Sequence, residues 1–383
     1  MHFAIIQRIM GQFLMLFSIT LLPPVLIDLW YQEGAAKAFF YSYLFLLAVG
    51  FLLFIPVKNK RADLRLRDGF VVVFLFWLVL GVAGAIPFYL YEDLDITVTD
   101  ALFESISGLT TTGATVLLGL DNLPHSILFY RQELQWLGGM GIIVLAVAIM
   151  PMLGIGGMQL YKAEAPGPVK DSKLTPRIAE TAKALWYIYL GLTVACALAY
   201  WAAGMNLFDA VSHSFSTVAI GGFSTHDASI GYFDSPAIEA VAIVFMFLGA
   251  VNFALHFSVV RTRSLMPYYR DSEFRLYAGL LVTITAVSIY ALYDQSSSHD
   301  LPLAIREGMF QAVSIATTSG FVTTDYSSWP VFVPVLLLFA SFVGGCAGST
   351  GGGIKVVRVL LLLRQGQREI LRLIHPLSLI HIS

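Results

Sequence analysis

The stretch DALFESISGLTTTGAT, residues 100–115, sets hydroxyl residues and glycine into a chain of 383 residues that is 57% hydrophobic and only 13% charged. Two later stretches, DAVSHSFSTVAIGGFS (209–224) and EGMFQAVSIATTSGFV (307–322), align with it without gaps when Gly113, Gly222 and Gly320 are superposed. An acid stands thirteen positions before each glycine (Asp100, Asp209, Glu307) and a serine six before it (Ser107, Ser216, Ser314). Self-similarity at a spacing of about one hundred residues marks an internal repeat.

With a mean hydropathy of +0.76, no water-soluble domain of this length stays in solution, so the chain is an integral membrane protein. A helix needs about 20 apolar residues to cross the hydrocarbon layer. Such windows fall near 9–31, 36–57, 69–91, 131–153, 183–204, 236–260, 274–294 and 330–363, which predicts an all-α polytopic fold with eight spans. Basic residues gather in alternate loops: Lys58, Lys60, Arg61, Arg65 and Arg67, then Lys162, Lys170, Lys173, Arg177 and Lys183, then Arg261, Arg263, Arg270 and Arg275. The intervening loops hold Glu92, Asp93, Asp95, Asp100 and Asp121, then Asp227 and Asp234, then Asp294 and Asp300. The positive-inside rule puts the basic loops, the N-terminus and the tail after Lys355 in the cytoplasm. Cys196 and Cys346 are too few for a disulfide framework and read as packing residues. The net charge of −2 carries no nucleic-acid signal, and the apolar run after Arg8 lacks the small-residue cleavage site of a signal peptide.

Each repeat follows one apolar span and precedes another, giving the unit span, short helix, glycine loop, span. The acid suits the N-terminus of the short helix, where a carboxylate caps free N–H groups and meets the positive end of the dipole. Ten or so residues cannot cross a membrane, so the helix enters from outside and turns back. Irregular backbone survives at that depth only where it lines a water-filled space. Glycine tolerates positive φ, which lets successive carbonyl oxygens aim at one axis and replace the hydration shell of a cation. Thr110, Thr111, Thr112, Thr318 and Ser319 leave that approach open and add hydroxyl oxygens. Close helix packing would explain one such stretch. Three, in register on both acid and serine, point to a shared pore.

GGCAGSTGGGIK, residues 344–355, interrupts the apolar stretch from Val331 to Leu363. Its glycines cannot sustain a helix unaided, so the span unwinds in its middle, on the cytoplasmic side of the glycine loops. A passive packing kink is the plainer alternative to an obstruction under the pore. A phosphate-cradling loop does not fit, because no Ser or Thr follows Lys355.

LTTTGATV, AIGGFSTHD, TTSGFVTTDY and GGCAGSTGGGIKVVR together resemble the Trk/Ktr/HKT superfamily of potassium transporters, and within it the bacterial TrkH-type membrane subunits, over about residues 5–372. The resemblance implies two N-terminal spans (1–68), then span, pore helix, span repeats at 69–160, 161–265 and 266–372 around a pseudo-fourfold pore. The tail at 373–383 reads as non-native, and the fourth repeat of the family pattern is missing from these residues. The implied function is potassium uptake across the bacterial cytoplasmic membrane, with K⁺ the transported ion. Its short carbonyl filter would be Thr111, Thr112, Gly113, Ile220, Gly221, Gly222, Thr318, Ser319 and Gly320. An intramembrane gate would comprise Gly344, Gly345, Gly348, Ser349, Thr350, Gly351, Gly352, Gly353 and Lys355. A homodimer in the lipid bilayer and a cytosolic nucleotide-binding regulatory subunit of the TrkA type are implied as well. No cofactor is expected in this subunit.

The alternative function is an H⁺- or Na⁺-coupled potassium symporter, in which broken helices build a midplane site. Repeats that all run in one direction favour the channel, and the sequence puts no ionisable residue securely in the middle of a span, which weakens a proton relay. An enzyme finds no support, since neither a nucleophile–base pair nor metal-ligand spacing stands out. Glu104, His213 and Gln311, each nine positions before a glycine, read as structural hydrogen-bonding groups. Asn252 and His256, one helical turn apart, are candidates to line an inner cavity. Asp28, after Pro23 and Pro24, reads as an anchor.

Overall fold

The computed structural model describes residues 2–60, 66–141, 177–295 and 300–374, and no β-strand occurs among them. Five helical stretches are long and apolar enough to cross a membrane: Phe3–Tyr31, Ala36–Val57, Arg67–Leu90, Lys183–Ala202 and Ser272–Asp294. The chain is an all-α polytopic membrane protein. Residues 142–153 of the expected fourth span, Arg61, Arg65, Lys162, Lys170, Lys173 and residues 375–383 lie outside the described residues.

Helices α1 (Phe3–Ile19) and α2 (Leu22–Tyr31) form the first stretch, and Pro23 and Pro24 sit in the first turn of α2, where a missing N–H costs nothing. α3 (Ala36–Phe54) returns beside α1. The crossing is backbone on backbone: a Cβ built on Gly11 would lie 2.8 Å from the Gly50 oxygen, and one on Gly50 would lie 2.9 Å from the Gly11 oxygen. Where lipid supplies no hydrophobic drive between helices, such small-residue contacts supply the packing. Asp28, expected as an anchor, is buried and accepts from the N–H groups of Gly34, Ala35 and Ala36 and from the Ser126 hydroxyl. It therefore caps the start of α3.

The repeats follow. In the first, α4 (Leu66–Leu90) pairs with the short helix α5 (Val98–Leu109), and α6 (His125–Trp136) leads away from the glycine loop. In the second, α7 (Arg177–Ala202) pairs with α8 (Leu207–Ala219), followed by α9 (Pro236–Gly249), α10 (Phe253–Thr262) and the short α11 (Met266–Arg270). In the third, α12 (Ser272–Gln295) pairs with α13 (Leu301–Ala316), followed by α14 (Phe332–Val343) and α15 (Val356–Ile374). The helix after each glycine loop packs on the short helix of the next repeat, α6 on α8 and α9 on α13. This interleaving brings the three glycine loops together.

Two expectations need correction. Residues 236–260 form two helices bent by 97° rather than one span. The free carbonyls of Gly249 and Ala250 at the bend accept from the Thr350 and Cys346 N–H groups, and Phe253 N–H donates to Gly348 O, so two broken helices satisfy each other's backbone. Second, the acid does not cap every short helix. Asp100 and Asp209 do occupy the first turns, bonded to Thr97 and Asn206. Glu307 instead lies mid-helix, because Asp300 caps Leu303 and starts α13 about one turn earlier than in the other two repeats.

Candidate functional site

The three glycine loops share one backbone conformation. The residue two before each glycine is left-handed (Thr111 φ 54°, Ile220 φ 55°, Thr318 φ 70°), and so is the glycine itself (Gly113 76°, Gly222 80°, Gly320 84°). The N–H between them turns back onto the serine carbonyl: Thr112 to Ser107 at 2.9 Å, Gly221 to Ser216 at 2.8 Å and Ser319 to Ser314 at 2.9 Å. A side chain two before the glycine pays left-handed strain, of order 1 kcal/mol, only where the surroundings impose it.

The loops converge. A Cβ on Gly113 would overlap the Gly221 carbonyl oxygen and lie 3.7 Å from that of Ser319, and a Cβ on Gly222 would overlap the Ser319 oxygen. The three loops thus stand against one another, with the Gly221 carbonyl oxygen beside Gly113 and the Ser319 carbonyl oxygen beside Gly222. Thr111, Thr112, Gly113, Ile220, Gly221, Gly222, Thr318, Ser319 and Gly320 all belong to this ring of backbone.

Behind the ring, the polar groups nine before each glycine tie the short helix to the segment leaving the loop. Glu104 accepts from the Thr115 hydroxyl and the Val116 N–H, His213 Nε2 lies 2.9 Å from Ser224 Oγ, and Gln311 Nε2 donates to Thr324 O. The serines do related work: Ser107 and Ser314 donate to Ala114 O and Phe321 O at 2.5 and 2.7 Å. In the second repeat the matching oxygen, Phe223 O, takes its donor from Gln132 instead, and Ser216 Oγ has no partner among the described residues.

That donor belongs to α6, whose RQELQ segment (131–135) is buried throughout. Arg131 donates to Glu104, to Ser224 O and to Thr115 Oγ1, and Gln135 bonds Gly221 and Phe223. Sequence reading began an apolar span at 131 and passed over this cluster. The visible signal was three consecutive polar residues, Arg131 to Glu133, followed after Leu134 by Gln135 at the head of a greasy window.

Residues 344–355 lie directly against the loops. Gly352 N–H donates to the Thr318 hydroxyl at 2.7 Å, and the Thr350 hydroxyl bonds Val218 O and Gly249 O. Glu273 accepts from the Ala347 and Val357 N–H groups, so one carboxylate holds both the segment and the start of α15. Lys355 Nζ donates to Gly351 O. Cys346 and Cys196 are both buried, unlinked thiols. Asn252 caps α10, and His256 is buried between Tyr268 Oη and Leu248 O.

The family model described as "Cation transport protein", TrkH, matches residues 35–383. The chain belongs to the TrkH family. It is 57% identical over 376 residues to the "Trk system potassium uptake protein TrkH" of Escherichia coli (strain K12), covering 98% of this chain and 78% of that one. The protein of the same name from Vibrio parahaemolyticus is 58% identical over 378 residues, again covering 98% and 78%. The crystal structure of the potassium transporter TrkH from Vibrio parahaemolyticus superposes with a TM-score of 0.89 at 54% identity, covering 99% of this chain and 78% of that one. A TrkH-family chain is a transport protein, not an enzyme.

Proposed function

We propose that this chain mediates potassium uptake through a pore whose filter is the backbone ring around Gly113, Gly222 and Gly320. The observation that carries this reading is the convergence of three loops with the same pair of left-handed residues. K⁺ would exchange part of its water for oxygens of Thr111, Thr112, Gly113, Ile220, Gly221, Thr318, Ser319 and Gly320, with Gly222 giving the second loop its turn. A fourth glycine loop from outside these residues would complete the ring. The names of the relatives, potassium uptake proteins of a Trk system, support the choice of ion.

Residues 344–353 and Lys355 would act as the gate, since they lie against Thr318 and Val218 and hang on a small set of hydrogen bonds. The setting would be the bacterial inner membrane with a cytoplasmic N-terminus, as a homodimer regulated by a TrkA-type partner at the basic loops. Substituting Gly113→Ser and Gly222→Ser in the full-length protein should lower the K⁺/Na⁺ preference in proteoliposome flux. An unchanged preference would refute the filter.

One observation favours the coupled symporter as a second reading. Glu133 is buried in α6 and its Oε2 has no partner among the described residues, which is the kind of carboxyl a proton relay uses. Strict dependence of tracer rubidium uptake on a proton gradient, lost in Glu133→Gln, would establish coupling in place of the channel.

A further inference from the structure

Gln135 makes two hydrogen bonds that straddle a single glycine. Its Nε2 donates to Gly221 O at 2.7 Å and its Oε1 accepts from Phe223 N–H at 3.1 Å, so one carboxamide spans Gly222. The side chain is sealed from solvent, and a Cβ on Gly221 would overlap the carboxamide carbon. Glycine at 221 is therefore required by close approach, not by its backbone angle. Among the described residues, no side chain donates to the corresponding carbonyls of Thr112 and Ser319.

We infer that Gln135 is a specificity-determining positioning residue for the ion pathway, acting through the Gly221 carbonyl. This rests on the filter proposed above. Discrimination against a smaller cation requires that the ring resist contracting around it, or that its field stay weak. The Gln135 amide serves both ends. It restrains residues 221 and 223 together, so the Gly221 oxygen cannot follow a smaller ion inward. It also occupies one lone pair of that oxygen and sets a positive N–H close behind it. The second quadrant becomes the stiffest and weakest ligand of the ring, held by a helix belonging to the first repeat.

The test measures rubidium and sodium flux through the full-length protein in proteoliposomes. Gln135→Leu removes both bonds, while Gln135→Glu keeps an oxygen to accept from Phe223 and loses the donor to Gly221. Both should lower the K⁺-like over Na⁺ ratio by about five-fold, the scale of one net hydrogen bond. Tyr130→Phe, which deletes the bond from the same helix to Gly84 O, should lower thermal stability and leave the ratio alone. If Gln135→Leu does not assemble, Gln135→Glu decides. A ratio unchanged in the Gln135 variants while Gly222→Ser shifts it would overturn this inference and leave the filter standing. A ratio unchanged in Gly222→Ser as well would overturn the filter itself.

Discussion

The Glu104 carboxylate accepts the Arg131 Nε–H at 2.6 Å with both side chains out of reach of solvent. The pair joins the short helix of the first repeat to α6, and the remaining guanidinium donors extend to Thr115 and, in the next repeat, to Ser224 O. Phe223 lies under the guanidinium at 4.3 Å. A buried ion pair survives only when its other donors and acceptors are also met, and here they are.

Removing one partner should therefore be much worse than removing both. Arg131→Met or Glu104→Gln alone is expected to cost about 3–5 kcal/mol, because each leaves groups buried without partners. The double variant should cost clearly less than the sum. Detergent-solubilised melting curves of the four proteins give the coupling, and strict additivity would show that the two residues do not act as a pair.

Residues 344–355 carry a separate prediction. The Thr350 hydroxyl lies 2.9 and 3.1 Å from Val218 O and Gly249 O, so Thr350→Val keeps the shape and deletes that link. At about 1 kcal/mol of net worth, the segment should leave its present position about five times more often. If it obstructs the pathway, basal rubidium uptake rises by that factor. A lower melting temperature with unchanged uptake would mean that the segment is a packing element only.

The register of the repeats is legible in sequence because the surrounding chain is apolar: small polar residues at fixed distances from Gly113, Gly222 and Gly320 have nowhere to hide. What stays illegible is polarity satisfied from far along the chain. Arg131, Gln132 and Gln135 bond backbone of residues 221–224, and a hydropathy window cannot represent such partners. The 97° bend at 250–252 has no proline to announce it, and its compensating donors belong to residues 346 and 350. Glu307 misleads for the opposite reason. Its register matches Asp100, but Asp300 and Pro302 lie upstream and start the helix first.

Arg306 on α13 grips Glu239 on α9 with two bonds, at 2.9 and 2.7 Å, and also Asp234. Those acidic partners raise its pKa further, so it stays charged at any working pH. Arg306→Lys keeps the charge and loses the fork, since an ammonium cannot make the planar bidentate contact. We expect a loss of about 1–2 kcal/mol in thermal unfolding. Equal stability of the lysine variant would mean that charge alone holds these two helices together.

The first two repeats meet at His226, whose Nδ1 lies 2.5 Å from Asp121 Oδ1 and whose Nε2 lies 3.3 Å from Asp209 Oδ2, while its ring stacks on Tyr232 at 3.5 Å. Burial pushes the imidazole pKa down, but hydrogen bonds to Asp209 and Asp121 outweigh it, and the net shift is upward. The His226 hydrogen bond lowers the Asp121 carboxyl in turn. A histidine raised in the folded state contributes stability that is complete below its unfolded value of about 6.5 and fades as pH rises through the folded value. Asp121 contributes above its unfolded value of about 3.9 and loses that contribution as pH falls through the lowered one. The clasp is therefore strongest in mildly acidic medium, between those two unfolded values. His226→Gln should lower the melting temperature more at pH 5.5 than at pH 8.5, and Asp121→Asn should show the same trend. A penalty for His226→Gln that is equal at both pH values would mean that stacking on Tyr232, not charge, joins the two loops.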